Sequence, residues 1–387
     1  MSLFNLIKQT KISKEESLYP TKQCVFYLEG KGVNATALVK KGDEVVVGSV
    51  IGKEKEDLSI PVLSSVNGSV VEIRDTYNTD GKKSKAVVVE VKENTKLEEK
   101  EVDINSLSKE EILNKIQEFG LVDEAGVPLS LKYRAFSGNK LLVKSFSYES
   151  NIAYYDLLNA KEKEINKALE VLNKLFVSLE IKKADSKSVS KKTIELKREE
   201  LISKFFGKGV KNEEVIVEDI LSLVYLGECF LSGQPHLDEY VVVSGSAIKE
   251  NVLLKVKLGT TLDEVLEKLG GSKEELGKIV VGGALGGIPQ FSDDSAISYN
   301  AKAILFLNTK DATKATESPC IRCAKCLRAC PEGLNPIKLM ELWERGEKEE
   351  FLKFGGNKCI ECGLCSYVCP SKIEVANKIV TAKAFIK

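Results

Sequence analysis

Two stretches of the sequence decide its fold: CIRCAKCLRACPEGLNP at residues 320–336 and CIECGLCSYVCPSKI at residues 359–373. Each contains the pattern C-x2-C-x2-C-x3-C-P, and residues 331–358 separate the last cysteine of the first copy from the first cysteine of the second. The chain has ten cysteines, and the remaining two, Cys24 and Cys229, stand far from this region. Isolated cysteines are typically small buried hydrophobic residues, so we expect these two to be chemically inert. The chemistry of the protein is therefore expected at the repeated motif.

The spacing of this motif suits cubane iron–sulfur clusters, because three thiolates on one tight loop can hold three irons. The fourth cysteine, beside a proline, begins the next helix and reaches the other cluster, as in bacterial two-cluster ferredoxins. On this rule, the ligands of one [4Fe-4S] cluster are Cys320, Cys323, Cys326 and Cys369. The ligands of the second cluster are Cys359, Cys362, Cys365 and Cys330.

Two other uses of eight cysteines fit the pattern less well. Disulfide frameworks are typical of short secreted chains, and the N-terminal sequence MSLFNLIKQTKISKEESLYP shows no signal-peptide core. Paired C-x2-C units could form two four-thiolate zinc sites. Structural zinc sites, however, usually use two separated pairs of ligands and not three cysteines in succession. The spacing therefore favours iron–sulfur clusters.

The composition argues against several other functional classes. Of the 387 residues, 57 are Lys or Arg and 57 are Asp or Glu, so the chain lacks the basic excess typical of nucleic-acid-binding proteins. A single histidine argues against histidine-based metal sites and catalytic triads. No apolar run approaches the ~20 residues that a transmembrane helix needs. We expect a cytoplasmic protein of two or three domains that reaches a membrane only through partner subunits.

The segments before the cysteine motifs combine β-rich and α/β patterns. Residues 24–93 alternate apolar and polar residues between glycines, which is typical of short β-strands. Ser108 and Glu111 form a capping-box pattern at the start of a helix predicted within residues 108–125. A second, apolar helix is predicted at residues 219–233.

Residues 240–308 return to short strands around a helix that begins near Thr261. The glycine-rich segment GGALGG at residues 282–287 lacks the Lys-Ser/Thr ending of a phosphate-binding loop, and no helix is expected to follow it. We interpret this segment as structural.

Along nearly its whole length the chain resembles the RnfC family, which belongs to the ion-translocating ferredoxin:NAD oxidoreductase (Rnf) complex. The resemblance rests on VKKGDEVVVGSVIG, on VVVSGSAI, GTTLDEVLEKLGG and VVGGALGG, and on the cysteine motifs. It implies a multidomain α/β and β fold. The implied units are an N-terminal arm (1–23), a lipoyl/biotinyl-like barrel-sandwich hybrid (24–100), a degenerate Rossmann-like flavin/NADH-type α/β domain (101–237), a soluble-ligand-binding β-grasp (SLBB) domain (238–309) and a ferredoxin-like 2[4Fe-4S] α domain (310–387).

The resemblance is weakest in the middle domain, where the family has a flavin- and NADH-binding loop of the form G-I-V-G-x-G-G-A-x-F-P-T-x-x-K. The corresponding segment here is GLVDEAGVPLSLK at residues 120–132. The cofactor-binding positions that it keeps are Gly120, Gly126 and Lys132. Asp123 and Glu124 stand where glycines belong, and each carboxylate would repel a phosphate by about 1 kcal/mol or more. We therefore expect the FMN and NADH sites to be lost.

The sequence thus predicts an iron–sulfur electron-transfer subunit of an Rnf-type or related oxidoreductase complex, with two [4Fe-4S] clusters. An alternative is an FMN-dependent, NADH-oxidising RnfC-type subunit with a divergent pocket, or a relative that feeds electrons to a proline reductase or a cobalamin reductase. The expected partners are other subunits of a redox complex or a soluble electron donor or acceptor protein. An electron carrier is favoured over a self-contained catalyst because Asp123 and Glu124 stand at glycine positions of the nucleotide loop.

Overall fold

The structure is a computed structural model that describes residues 12, 14–54, 59–92, 97–147, 149, 152, 155, 158, 160–185, 198–299, 301–312 and 316–386. Most of the predicted N-terminal arm lies outside these residues. Its described part includes a strand, Glu15–Leu18, which pairs in parallel with Val252–Lys257. This part of the arm therefore belongs to the sheet of a later unit.

The N-terminal region is built from short antiparallel strands, as the alternating pattern predicts. Its four-stranded sheet consists, in spatial order, of Gln23–Tyr27, Lys83–Val91, Gly68–Tyr77 and Glu44–Val45. Its three-stranded sheet consists of Thr36–Ala37, Val50–Lys53 and Val62–Leu63. A two-stranded hairpin consists of Glu29–Gly30 and Val33–Asn34. Phe26, Ile51 and Val87, from both larger sheets, share one buried core.

The middle region is an α/β unit around a three-stranded parallel sheet. The strands, in spatial order, are Glu180–Asp185, Lys140–Ser145 and Val215–Asp219. The helices are Lys109–Glu118, Leu129–Ala135, Glu162–Leu175, Arg198–Phe206 and Ile220–Ser232. The capping box of Ser108 and Glu111 is confirmed at the first helix. The predicted apolar helix is confirmed as well, and it ends at Gly233, whose φ of 68° lies in the left-handed region that favours glycine.

The third region is a six-stranded mixed sheet. Its order is Glu15–Leu18, Val252–Lys257, Asp238–Ser244, Ala303–Asn308, Leu276–Val281 and Ile288–Pro289. Successive side chains of a strand face opposite sides of a sheet. Val241 packs into the core of the N-terminal region, whereas Tyr240 and Val242 pack into the core of the α/β unit. The sheet is therefore covered on both faces, which explains the continuous apolar run in its central strand. The predicted helix near Thr261 is present as Leu262–Lys268.

The C-terminal region consists of short helices with a separate hydrophobic core. The helices are Lys325–Ala329, Pro336–Glu344, Lys348–Lys353, Leu364–Tyr367 and Val375–Ile386, whereas the short helix Thr309–Ala312 packs against the six-stranded sheet. Cys330 directly follows the helix Lys325–Ala329 and the next helix begins at Pro336, so the prediction that the fourth cysteine begins the next helix is wrong. Leu339, Phe351 and Ile379 lie at the centre of the core, and several of the motif cysteines border it. Within the described residues, no helix is both long and apolar enough to cross a membrane.

Candidate metal centre

The two cysteine loops have the same unusual backbone. The residue before the second cysteine of each motif has a positive φ, 53° at Arg322 and 61° at Glu361. The residue after that cysteine does too, with 58° at Ala324 and 74° at Gly363. Non-glycine residues rarely adopt this left-handed conformation, which costs about 1–2 kcal/mol for an L-residue. Its recurrence at matched positions indicates that both loops have the same backbone conformation and the same role.

In both loops this backbone conformation points N–H groups at cysteine sulfurs. The Arg322 N–H donates to Cys320 Sγ at 3.4 Å, and the Glu361 N–H donates in the same way to Cys359 at the matched position. Further backbone N–H groups donate to Cys326, Cys362 and Cys365. Backbone N–H donors stabilise thiolates, and therefore also metal-bound sulfurs, and they are one of the ways in which proteins set cluster potentials.

Four of the predicted ligands meet around one cavity. Cys330 lines a cavity together with the three cysteines of the second loop, although it comes from the first motif. The cysteines of this cavity are Cys330, Cys359, Cys362 and Cys365. Burial raises the pKa of Cys362 to about 11 and that of Cys365 to about 12, and the neighbouring cysteines add to this shift. These raised pKa values favour the protonated thiol. A bound metal cation would favour the thiolate instead, because a coordinating thiol is deprotonated.

In the other loop, burial raises the pKa of Cys326, and the neighbouring Cys320 and Cys323 add to this shift. The segment that follows Cys369 lies beside this loop. The Ser318 N–H donates to the Ser371 carbonyl oxygen at 2.9 Å, and the Ser371 hydroxyl donates to the Pro319 carbonyl oxygen at 3.0 Å. Among the described residues, no three His, Cys, Asp or Glu side chains converge closely enough to hold a single metal ion.

The two groups of cysteines differ in their exposure. Cys320 is exposed, and so are the three basic residues Arg322, Lys325 and Arg328 around it. In the second loop, Gly363, Leu364 and Cys365 are buried. Cys24 and Cys229, which we expected to be buried, are indeed buried, and desolvation raises the pKa of both thiols.

The residues present fit iron–sulfur clusters. The chain supplies thiols, which are the usual ligands of such clusters, in two loops whose backbone N–H groups face the sulfurs. The partly apolar cavity is lined by Leu339 and Ile379 as well as by the second group of cysteines, and such a lining limits access of water.

The predicted remnant of a nucleotide loop is occupied by the chain's own ion pairs. Lys132 Nζ lies 2.9 Å from Asp123 Oδ2 and 2.9 Å from Glu218 Oε1, and it donates to the Val217 carbonyl oxygen at 3.0 Å. Burial by itself lowers the pKa of Lys132, but the two carboxylates raise it above its ordinary value. The charge of Lys132 is therefore already paired with carboxylates of the chain itself.

Asp123 and Glu124 also make hydrogen bonds and ion pairs with other groups of the chain. Asp123 accepts hydrogen bonds from the N–H groups of Ala125 and Val127, both at 2.9 Å. Glu124 pairs with Lys144 at 2.6 Å and with Lys302 at 3.2 Å. Gly120 and Gly126 keep positive φ angles of 71° and 84°, but a Cβ on Gly126 would lie 2.8 Å from Lys31 Cβ. The surviving glycine thus serves a contact with the N-terminal region.

Sequence reasoning missed two carboxylates that matter here, Glu218 and Glu149. Glu218 lies in the strand Val215–Asp219, and nothing in its local pattern points to Lys132, which is distant in the chain. Glu149 contacts the segment 282–287, whose glycines were the available signal because they permit close approach of another group.

Comparison with known families gives three matches along the chain. Residues 5–94 match the RnfC barrel sandwich hybrid domain, and residues 319–373 match the 4Fe-4S dicluster domain. Residues 82–205 match a family of unknown function, DUF5343. The predicted barrel-sandwich hybrid and the predicted C-terminal iron–sulfur domain are thereby confirmed.

Several curated relatives match about four fifths of the chain, among them the following two. One is a component of the proton-translocating ferredoxin:NAD(+) oxidoreductase complex of Clostridium ljungdahlii, which is 29% identical over 82% of this chain and 78% of its own. The other is the corresponding component of the Na(+)-translocating ferredoxin:NAD(+) oxidoreductase complex of Acetobacterium woodii, 26% identical over 81% of this chain and 79% of its own.

A solved structure of an NAD+-reducing [NiFe]-hydrogenase in the air-oxidized state is also similar. It has a TM-score of 0.43 and 12% identity, over 72% of this chain and 63% of that one. This similarity is too low to carry an argument.

Proposed function

We propose that this RnfC-like protein, which carries a 4Fe-4S dicluster domain, is an electron-transfer subunit of an Rnf-type complex and has no NADH site of its own. The observation that carries the proposal is the matched pair of loops, each with two left-handed residues and an N–H donor to its first cysteine. When bound, two [4Fe-4S] clusters would supply one-electron steps. The chain's part is to hold them, to donate hydrogen bonds to the sulfurs and to limit water at the second site.

We assign the ligands in the crossed arrangement. Support for the second cluster comes from the cavity that Cys330 shares with the cysteines of the second loop. Support for the first comes from the two hydrogen bonds that join Ser371 to residues 318 and 319. The first cluster would be held by Cys320, Cys323, Cys326 and Cys369. The second would be held by Cys359, Cys362, Cys365 and Cys330.

The absence of an NADH site is proposed from charge. An incoming phosphate would need a free cation, and Lys132 lies between Asp123 and Glu218 instead. Lys144 and Lys302 both pair with Glu124. To accept a phosphate, these lysines would have to exchange internal carboxylates for it, which leaves a buried carboxylate unpaired.

The partners follow by analogy with the relatives, whose names describe components of ion-translocating ferredoxin:NAD(+) oxidoreductase complexes. We propose that this chain likewise assembles with other subunits of such a complex. Since reduced thiols are needed to hold the clusters, we place it in a reducing compartment, at the cytoplasmic face of a membrane and attached through its partners.

The test is anaerobic reconstitution of the full chain, followed by iron, sulfide and flavin analysis. We expect about eight irons per chain, no bound FMN and no reduction by NADH. Stoichiometric FMN with NADH-dependent reduction would instead support the alternative of an NADH-oxidising subunit. Zinc in place of iron would contradict both proposals.

A further inference from the structure

A buried carboxylate lies inside the glycine-rich segment 282–287. The N–H of Leu285 donates to Glu149 Oε2 at 2.9 Å, and the N–H of Gly286 donates to Glu149 Oε1 at 2.9 Å. The N–H of Ala284 contributes a third hydrogen bond. Glu149 is only 8% exposed, and it belongs to the α/β unit, whereas the segment connects two strands of the six-stranded sheet.

This arrangement is an anion-binding nest filled by the chain itself. Successive backbone N–H groups that point at one centre form a concavity of the kind that binds phosphates. Here the centre is the Glu149 carboxylate. A Cβ on Gly283 would lie 2.0 Å from Glu149 Cδ, so glycine is required there by the close approach of the carboxylate. The segment resembles a phosphate loop in sequence because it must accommodate an anion, and that anion is internal.

The other side of the same segment rests on the second cysteine loop. A Cβ on Gly363 would lie 2.1 Å from the Leu285 carbonyl oxygen. The matched residue of the first loop is Ala324, whose φ of 58° shows that an alanine can adopt this backbone. Gly363 is therefore required by its contact with Leu285 and not by its backbone angle alone.

We propose that Glu149 is a positioning residue that holds the segment 282–287 over the second cluster loop. The inference rests on the proposed function, because it assigns this contact a role toward a bound cluster. Among the described residues, the first loop has no such cover, and Cys320 is exposed. The two clusters would therefore differ in their contact with water, with the first open to a docking partner and the second covered.

The experiment is a redox titration of the reconstituted full chain, followed by EPR, in the wild type and in Glu149→Ala. A reduced cluster carries one more negative charge, and water solvates that charge better than protein does. Release of the segment should thus raise the reduction potential of the second cluster and leave that of the first unchanged. Loss of the Glu149 carboxylate should also raise this potential, because it removes a negative charge near the second cluster. Equal shifts at both clusters, or no shift at the second, would overturn the proposal.

Two further variants keep the proposal falsifiable if Glu149→Ala fails to fold. Gly363→Ala should displace the segment 282–287 from the second cysteine loop, because the added Cβ meets the Leu285 carbonyl oxygen. It should therefore also raise the reduction potential of the second cluster. Ala324→Gly, at the matched position of the first loop, should leave the second cluster unchanged.

A measurement without clusters separates this proposal from the proposed function. In the apoprotein, hydrogen exchange at the amides of Leu285 and Gly286 should be slow in the wild type and faster in Glu149→Ala. Failure to incorporate iron would refute the proposed function, but the exchange experiment would still test whether Glu149 holds the segment 282–287. Iron incorporation with unchanged exchange would refute the role of Glu149 and leave the proposed function supported.

Discussion

Replacement of Lys132 by methionine tests whether internal ion pairs have taken over the nucleotide loop. The side chain of Glu218 is 0% exposed and that of Lys132 is 19% exposed, so water cannot substitute for the lost cation. Removing one partner of such a buried pair costs about 3–5 kcal/mol, because the remaining carboxylates must either stay charged without their cation or bind protons. The lower value corresponds to a factor of roughly 150, since each 1.36 kcal/mol is tenfold.

The assay is native-state hydrogen exchange of the strands Lys140–Ser145 and Val215–Asp219, which belong to the affected unit. The single tryptophan, Trp343, lies in the C-terminal region and would report on the wrong unit. The measurement is made at pH 8, because burial raises the pKa of Glu218 to about 7 and the carboxylate is then ionised. We expect protection to fall by at least about 100-fold.

The matched control is Lys22→Met. Lys22 pairs with Glu267 at 2.7 Å, but the two side chains are 53% and 59% exposed. Exposed pairs contribute little to stability, so exchange in the neighbouring strand Gln23–Tyr27 should change less than about fivefold. If Lys132→Met had no larger effect on its own unit than Lys22→Met has on its own, the reasoning about the nucleotide loop would be refuted.

Two further predictions concern pH and the first cysteine loop. Since burial raises the pKa of Glu218 from 4.5 to about 7, the folded state binds more protons between these values. The α/β unit should therefore lose up to about 3 kcal/mol of stability as the pH rises through this window, and urea unfolding followed by circular dichroism should show a flatter profile in Glu218→Gln. Ala324→Gly should relieve a left-handed alanine and stabilise the apoprotein's C-terminal region by up to about 1 kcal/mol, as read from Trp343 fluorescence. Ala382→Gly, inside the helix Val375–Ile386, should instead destabilise it by about 1 kcal/mol, and a gain in stability there would contradict the argument.

The sequence predicts local features of this protein well. The helix at Lys109–Glu118 begins at its capping box, and the helix at Ile220–Ser232 ends at a glycine, because both signals lie within a few residues of the element. The cysteine spacing likewise predicts two like-shaped loops, which the matched φ angles bear out.

Long-range contacts are what the sequence does not predict. The strand Glu15–Leu18 pairs with Val252–Lys257, and its short polar pattern contains no sign of this partner. The same holds for Glu218 beside Lys132 and for Glu149 in the segment 282–287. Each of these contacts depends on how whole units pack. A local pattern can indicate at most that a glycine permits the close approach of another group, without identifying that group.

The most direct test of the central claim is EPR of the reduced, reconstituted chain in Cys330→Ala beside Cys359→Ala and Cys320→Ala. Cys330 belongs to the first motif in sequence but lines the cavity of the second loop. With crossed ligands, Cys330→Ala should remove the same cluster signal as Cys359→Ala and keep the signal that Cys320→Ala removes. Loss of the Cys320 signal in Cys330→Ala, or one signal in all three, would contradict two clusters with crossed ligands.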